Sequence, residues 1–312
     1  MVVNVNKNVI RKVGYFLLFS IFLQIILGAW VRLTGSGMSC PDWPLCYGMI
    51  FPTPEKILRL ENIEYTYFQI FLEWIHRANA AFIIGPTCVI FSVYLLLNKN
   101  THIYYKKYAY VLLFLLLVQG GLGGLTVFKS NIPWSVAAHL MFAFLLYLTV
   151  LLLILSTYDL FNSRITVNRL LKNNIFFVGF LTLAAACAGA FTSKYGASLS
   201  CDRWPGCSVS FFPNFNDVFE LIHFGHRVIA LMLIIFLFLF FLNIKNYYKA
   251  MTPFLKLVIF FILIIIFSQV IIGALLIHYS IPTWLGIFHQ ATGLLLFTLI
   301  SILYNYTEVK KR

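Results

Sequence analysis

Eight apolar runs, each long enough to cross a lipid bilayer as a helix, recur along this chain at 13–31, 70–97, 108–128, 135–156, 174–192, 219–242, 255–277 and 284–304. Hydrocarbon about 30 Å thick needs about 20 apolar residues per helical crossing, and it offers the backbone no water to bond with. The chain of 312 residues is 61% hydrophobic and 11% charged, with a mean hydropathy of +0.88, which is more apolar surface than a soluble fold can hide. The fold class expected is therefore an all-α integral membrane protein with eight transmembrane helices.

A formal net charge of +13 raises the question of a nucleic-acid partner, and the positions of the basic residues answer it. Lys7, Arg11, Lys12, Lys99, Lys106, Lys107, Arg164, Arg169, Lys172, Lys245, Lys249, Lys256, Lys310, Lys311 and Arg312 fall before span one, after each even-numbered span, or at the chain end. The opposite, larger loops hold Arg32, Lys56, Arg59, Lys129, Lys194 and Arg203, a bias of 15 to 6 that marks the first side as cytoplasmic. Basic charge here encodes topology in a lipid bilayer, with no nucleic acid implied. Both termini are expected in the cytoplasm, which requires an even number of spans. The first run is too long for a cleaved signal peptide, and the N-terminus lacks the Arg and Ser of a transit peptide. The expected location is a bacterial cytoplasmic (inner) membrane.

Self-similarity organises the chain further. Gln119, Gly123 and His139 recur 150 residues later as Gln269, Gly273 and His289, and His76-Arg77 recurs as His226-Arg227. Gly28 and Cys40 recur at an offset of 161 as Gly189 and Cys201, because the first external loop is longer. The chain thus reads as two tandem parallel four-helix bundles, 1–157 and 174–312, joined by a polar cytoplasmic linker at 158–173. Within the long first loop, PEKILRLENIEY at 54–65 is expected to form a short amphipathic helix in the interface.

His76 and His226 sit inside the outer ends of their helices, and His139 and His289 sit inside the outer starts of theirs. At 1.5 Å per residue all four fall about 6–10 Å below the outer surface. Two imidazoles facing each other across a helix bundle can clamp haem iron from both axial sides. A bare zinc site would need more ligands than either half gathers. A lone histidine in a span is more often a hydrogen-bonded core residue, but four in two pairs of equal spacing point to ligation. Glu73 lies one helical turn before His76, and the equivalent position in the second half is His223. This asymmetry suggests divided labour, with Glu73 a functional group or the i,i+4 partner of Arg77. Arg77 and Arg227 are candidates for haem propionates, or for snorkelling to headgroups. Gly120, Gly121, Gly123 and Gly124 would admit either a flat macrocycle or a closely packed helix.

Cys40 and Cys46 bracket PDWPL, and Cys201 and Cys207 bracket DRWPG. Both pairs lie on the oxidising side and are expected to form disulfides, serving as staples or as redox relays. Cys88 and Cys187 lie within spans and read as small apolar packing residues.

Through GAWVRLTGSGMSCPDWPLCYG at 28–48, EWIHR at 73–77, HFGHR at 223–227, and His139 and His289, the sequence resembles the haem A synthase family over nearly its whole length. The resemblance implies an oxidoreductase that converts the C8 methyl of haem O to the formyl of haem A for haem-copper terminal oxidase biogenesis. It implies that His76 and His139 hold substrate haem O, that His226 and His289 are the axial ligands of a resident haem b, and that Glu73 and Cys40–Cys46 act at or near the catalytic step. Haem O synthase, an electron acceptor that the sequence does not identify, and a further copy of the chain are the partners it leaves open. A dihaem cytochrome b would share the paired histidines but gives no reason for Glu73 opposite His223, and a transporter would want interrupted midplane helices. The topology predicts that cysteines placed at Lys106 and Arg169 resist an impermeant thiol reagent in intact cells. Labelling there from outside would break it.

Overall fold

A computed structural model describes residues 7–60, 63–158, 164–207 and 210–309. Lys310, Lys311 and Arg312, and positions 159–163 of the polar join, lie outside the described residues. Eight helices are long and apolar enough to cross a membrane: Lys7–Leu33, Tyr67–Leu97, Ile103–Phe128, Pro133–Leu155, Arg169–Tyr195, Val218–Ala250, Pro253–His278 and Thr283–Asn305. The chain is a multi-pass membrane protein, and the spans agree with the apolar runs to within a few residues at most ends. We label the helices α1 (Lys7–Leu33), α2 (Pro54–Ile57), α3 (Tyr67–Ala78), α4 (Gly85–Leu97), α5 (Ile103–Phe128), α6 (Pro133–Leu155), α7 (Arg169–Tyr195), α8 (Val218–Ile244), α9 (Pro253–His278) and α10 (Thr283–Asn305). Thr66 opens α3 through a reciprocal capping box with Gln69, while Asn168, Asp217 and Thr252 accept from the first free N–H groups of α7, α8 and α9.

The chain divides into two compact units, Met1–Thr157 and Tyr158–Arg312, each containing four spans. In the first unit α1 packs on α3 and α6, α6 on α5, and α5 on α4. In the second, α7 packs on α8 and α10, and α10 on α9. The densest apolar packing of the second unit gathers Leu171, Ile175, Leu237, Phe240, Leu255 and Ile300 at the end remote from the cysteine loop. The other end, where the histidines lie, is left to polar contacts.

Three features were not legible beforehand. Between α3 and α4 the second span passes through a π-helical stretch, Asn79–Ile84. Pro86 follows it directly; lacking an N–H and clashing with the carbonyl of the preceding turn, proline favours such a widened turn upstream. Ile165–Val167 forms a short parallel strand pair with Thr307–Val309, closing the far end of the second unit. Among the described residues of the segment 54–65, which omit 61 and 62, helix is confined to the single turn α2, and Ile57 turns inward against Cys40, Cys46 and Ile70. Burial of one isoleucine against the disulfide outweighs a helix too short to hold itself together.

The turns α5–α6 and α9–α10 are built alike. Ser130 and Asn131 (φ 52° and 57°) and Ser280 and Ile281 (φ 52° and 59°) take left-handed conformations, and the second residue of each donates to Thr126 O or Leu276 O. At Ile281 a β-branched side chain holds that conformation at a cost of about 1–2 kcal/mol.

At the remote end the basic residues also close each unit. Arg11 of α1 donates to Thr157 Oγ1 (2.9 Å) and Thr157 O (2.8 Å), just beyond α6. Lys172 of α7 donates to Tyr304 O and Thr307 O just beyond α10 and lies over the Tyr304 ring. A cation at a helix C-terminus satisfies orphan carbonyls and the dipole together. Lys172→Met is expected to lower unfolding stability by about 1–2 kcal/mol, whereas Lys99→Met, at an exposed position, should change nothing. Denaturation of the purified protein in detergent checks both.

Candidate functional site

The site begins with the two cysteine loops. Cys40–Cys46 and Cys201–Cys207 are both disulfide-bonded, and all four cysteines are fully buried. Cys88 and Cys187 are free thiols. Each loop contains a cis Trp-Pro bond, at Trp43–Pro44 and Trp204–Pro205.

An arginine one position after a histidine holds each loop. Arg77 donates to the carbonyls of Cys40 (3.0 Å), Asp42 and Leu45 (2.6 Å). Arg227 donates to the carbonyls of Cys201 (2.7 Å), Arg203 (2.7 Å) and Gly206. The three carbonyls in one loop lie 161 residues from those in the other. A planar guanidinium with five donors suits this fan of acceptors, and an ammonium would not. Both guanidinium groups are thus committed to the loops, so a propionate would have to compete with these bonds.

Glu73 sits beneath the first loop, 4% exposed. Its carboxylate accepts from Cys40 N (2.8 Å), Ser39 Oγ (3.0 Å) and Arg77 (2.5 Å). In the second unit Cys201 N donates to His223 Nδ1 at 3.2 Å. The asymmetry read from the sequence is therefore one of chemistry at a shared post: both side chains accept from the first cysteine's N–H, but only Glu73 adds a charge and an ion pair.

The four histidines lie deeper. His76 is nine residues into α3, His226 eight into α8, and His139 and His289 six into α6 and α10, so they lie about 9–13 Å from the helix ends, somewhat deeper than the apolar runs alone implied. In the first unit His76 and His139 are within electrostatic range of each other. Each histidine faces a glycine on a neighbouring helix. A Cβ at Gly28 or Gly189 would lie 3.2 Å from Cε1 of His76 or His226, and one at Gly123 or Gly273 would lie 3.5 or 3.9 Å from Cε1 of His139 or His289. These glycines make room for imidazole rings. Of the other three glycines on α5, Gly124 faces Trp43 of the loop, and Gly120 and Gly121 border open space.

Nδ1 of His76, His139 and His226 is buried without a hydrogen-bond partner, an arrangement that costs about 1–3 kcal/mol per group unless something fills it. Among the described residues no cluster of three or more His, Cys, Asp or Glu could hold a bare metal ion. Two imidazoles in each unit, with no further ligand gathered beside them, suit a group that brings its own equatorial ligands and asks the protein only for axial ones, as haem does.

Sequence reasoning missed Gln24 and Asn79. Gln24 Nε2 lies 3.3 Å from His76 Nε2 and donates to His76 O at 2.9 Å, and Asn79 Nδ2 donates to Gln24 Oε1 at 2.8 Å. Gln119, noted only for its spacing, places Nε2 3.4 Å from His139 Nε2. The available signal was a carboxamide within an apolar span, where polar side chains are expensive.

This architecture defines a multi-pass membrane protein with two half-buried histidines in each unit beneath disulfide-closed loops. Residues 11–301 match the cytochrome oxidase assembly protein family, COX15-CtaA, and the chain belongs to that family. Among its relatives, the heme A synthase of Shewanella oneidensis is 29% identical over 315 residues, covering 90% of this chain and 92% of that protein. The heme A synthase of Pelagibacter ubique is 29% identical, covering 94% and 96%, and that of Shouchella clausii is 25% identical, covering 93% and 94%.

The clamp has a direct test. Arg227→Lys keeps the charge but loses the fork, and should lower stability by about 2 kcal/mol while speeding reduction of Cys201–Cys207. Alkylation and mass measurement after timed exposure to a thiol check it, and an unchanged reduction rate would refute the clamp.

Proposed function

We propose that this chain oxidises the C8 methyl group of haem O to the formyl group of haem A, supplying haem-copper terminal oxidases. What carries the reading is the presence in each unit of two half-buried imidazoles, each opposite a glycine, in a chain that belongs to a cytochrome oxidase assembly family and has heme A synthases as its relatives. The paired halves read as an internal duplication whose members have diverged. His76 and His139 of the first unit hold substrate haem O, and His226 and His289 of the second hold haem b. The group bound by the second pair supplies one-electron redox chemistry. The chain lies in a bacterial inner membrane with both termini cytoplasmic and the cysteine loops outside, consistent with the distribution of basic residues.

The residues then divide the work. The histidines orient the substrate ring, and the glycines opposite them let the rings approach. Arg77 and Arg227 hold the loops that cover the outer end. The methyl passes through two two-electron oxidations, each replacing a C–H bond by a C–O bond and passing its electrons to an external electron acceptor, and the resulting hydrate loses water to leave the aldehyde. Glu73 is the one acidic side chain anchored beside the first pair. Its three donors leave a fixed negative charge that can stabilise positive charge developing at the substrate without any bond opening. Taking up a proton would first require release of Ser39, Cys40 or Arg77.

Two outcomes follow. His226→Ala or His289→Ala should remove haem b, while His76→Ala or His139→Ala should chiefly disturb the farnesylated haem; a normal bis-histidine haem b spectrum in the first two would reverse the assignment. Glu73→Gln should fold with its haem b and stop at haem O or the alcohol. Chromatography of extracted haems per mole of protein reads this, and normal haem A formation would end the catalytic role of Glu73.

A further inference from the structure

Polar groups beside the histidine rings differ between the two units, and the difference falls on the lone pair that a metal needs. A neutral imidazole has one N–H and one nitrogen lone pair. Gln24 Nε2 is a donor, because it also bonds the His76 carbonyl while its oxygen accepts from Asn79. An amide nitrogen can only donate, so at 3.3 Å from His76 Nε2 it meets the ring's lone pair. Gln119 Nε2 lies 3.4 Å from His139 Nε2, and its Oε1 is buried without a partner.

In the second unit the position 161 residues after Gln24 is Ala185, and the one 150 after Asn79 is Ile229. Among the described residues no side-chain amide bonds the His226 ring, and Ala185 has no polar side chain to offer one. Gln269, the counterpart of Gln119, spends its amide on His289 O (2.9 Å) and Thr292 Oγ1 (2.5 Å). The π-helical stretch that begins at Asn79 belongs to the first unit alone, since α8 is regular through the equivalent residues.

We propose that Gln24, held in place by Asn79, and Gln119 are positioning residues that compete with iron for the imidazole lone pairs of the first unit, making that unit the site from which a haem is released. The inference rests on the assignment of the substrate to the first unit. By bonding the rings when no macrocycle is present, the carboxamides stabilise the empty site, which a substrate site must revisit every cycle. The second unit has no such side chain at position 185 and keeps its group. One neutral hydrogen bond of this kind shifts a binding equilibrium about 2- to 10-fold.

The test is partition of haem from the full-length, detergent-purified protein to excess apomyoglobin, with chromatography separating farnesylated haem from haem b. In the wild-type protein farnesylated haem should transfer while haem b stays. Gln24→Ala, which installs the residue found at position 185, and Gln119→Leu should each raise retention of farnesylated haem about 2- to 10-fold, with haem b content and spectrum unchanged as the folding control. Asn79→Ile should shift retention the same way. Unchanged or weakened retention of farnesylated haem in both glutamine variants would overturn the proposal. A wild-type protein that carries no farnesylated haem would instead overturn the assignment of substrate on which it rests.

Discussion

Hydrocarbon provides no hydrogen-bond partner, so every polar atom within these spans must be satisfied by the protein or by what the protein binds. The backbone meets this demand as helix. Side chains meet it in clusters: Glu73 with Ser39, Cys40 and Arg77; Gln24 with His76 and Asn79; Gln269 with His289 and Thr292. Nδ1 of His76, His139 and His226 stands out against this rule, buried without a partner.

The cysteine loops show how one scaffold can carry two uses. In both units an arginine gathers three loop carbonyls and a side chain one turn before the histidine accepts the first cysteine's N–H. Because the anchoring bond survives the exchange of carboxylate for imidazole, that position is free to differ in charge without loss of the loop. A fixed carboxylate beside one histidine pair and a neutral ring beside the other give two electrostatic environments on the same frame.

Each unit also separates its tasks by depth. In the second unit the end remote from the loop is packed with Leu, Ile, Val and Phe, and in both units a cation closes that end on carbonyls at or just beyond the last helix. The histidine end sets glycines against the imidazole rings. Rigid packing at one end lets the other carry unsatisfied groups that a bound ring can fill.

Much of this was legible from residue order alone. Apolar runs fix eight spans because bilayer thickness sets a length, and the repeated spacing puts His76 and His139, and likewise His226 and His289, six to nine residues inside the ends of their helices. The disulfides followed from compartment, and the family from a combination of motifs. The sequence did not assign the partners of Arg77 and Arg227, since a long side chain can reach a headgroup, a propionate or a loop, and only the folded loop puts three carbonyls within its fork. Nor did it mark Gln24 and Asn79, which are far apart in the chain and become neighbours only when α1 packs on the second span. Sequence determines which groups enter the membrane and how deep they lie; tertiary packing decides which of them meet, because hydrogen bonds a few ångströms long depend on the contact of helices that the order of residues does not specify.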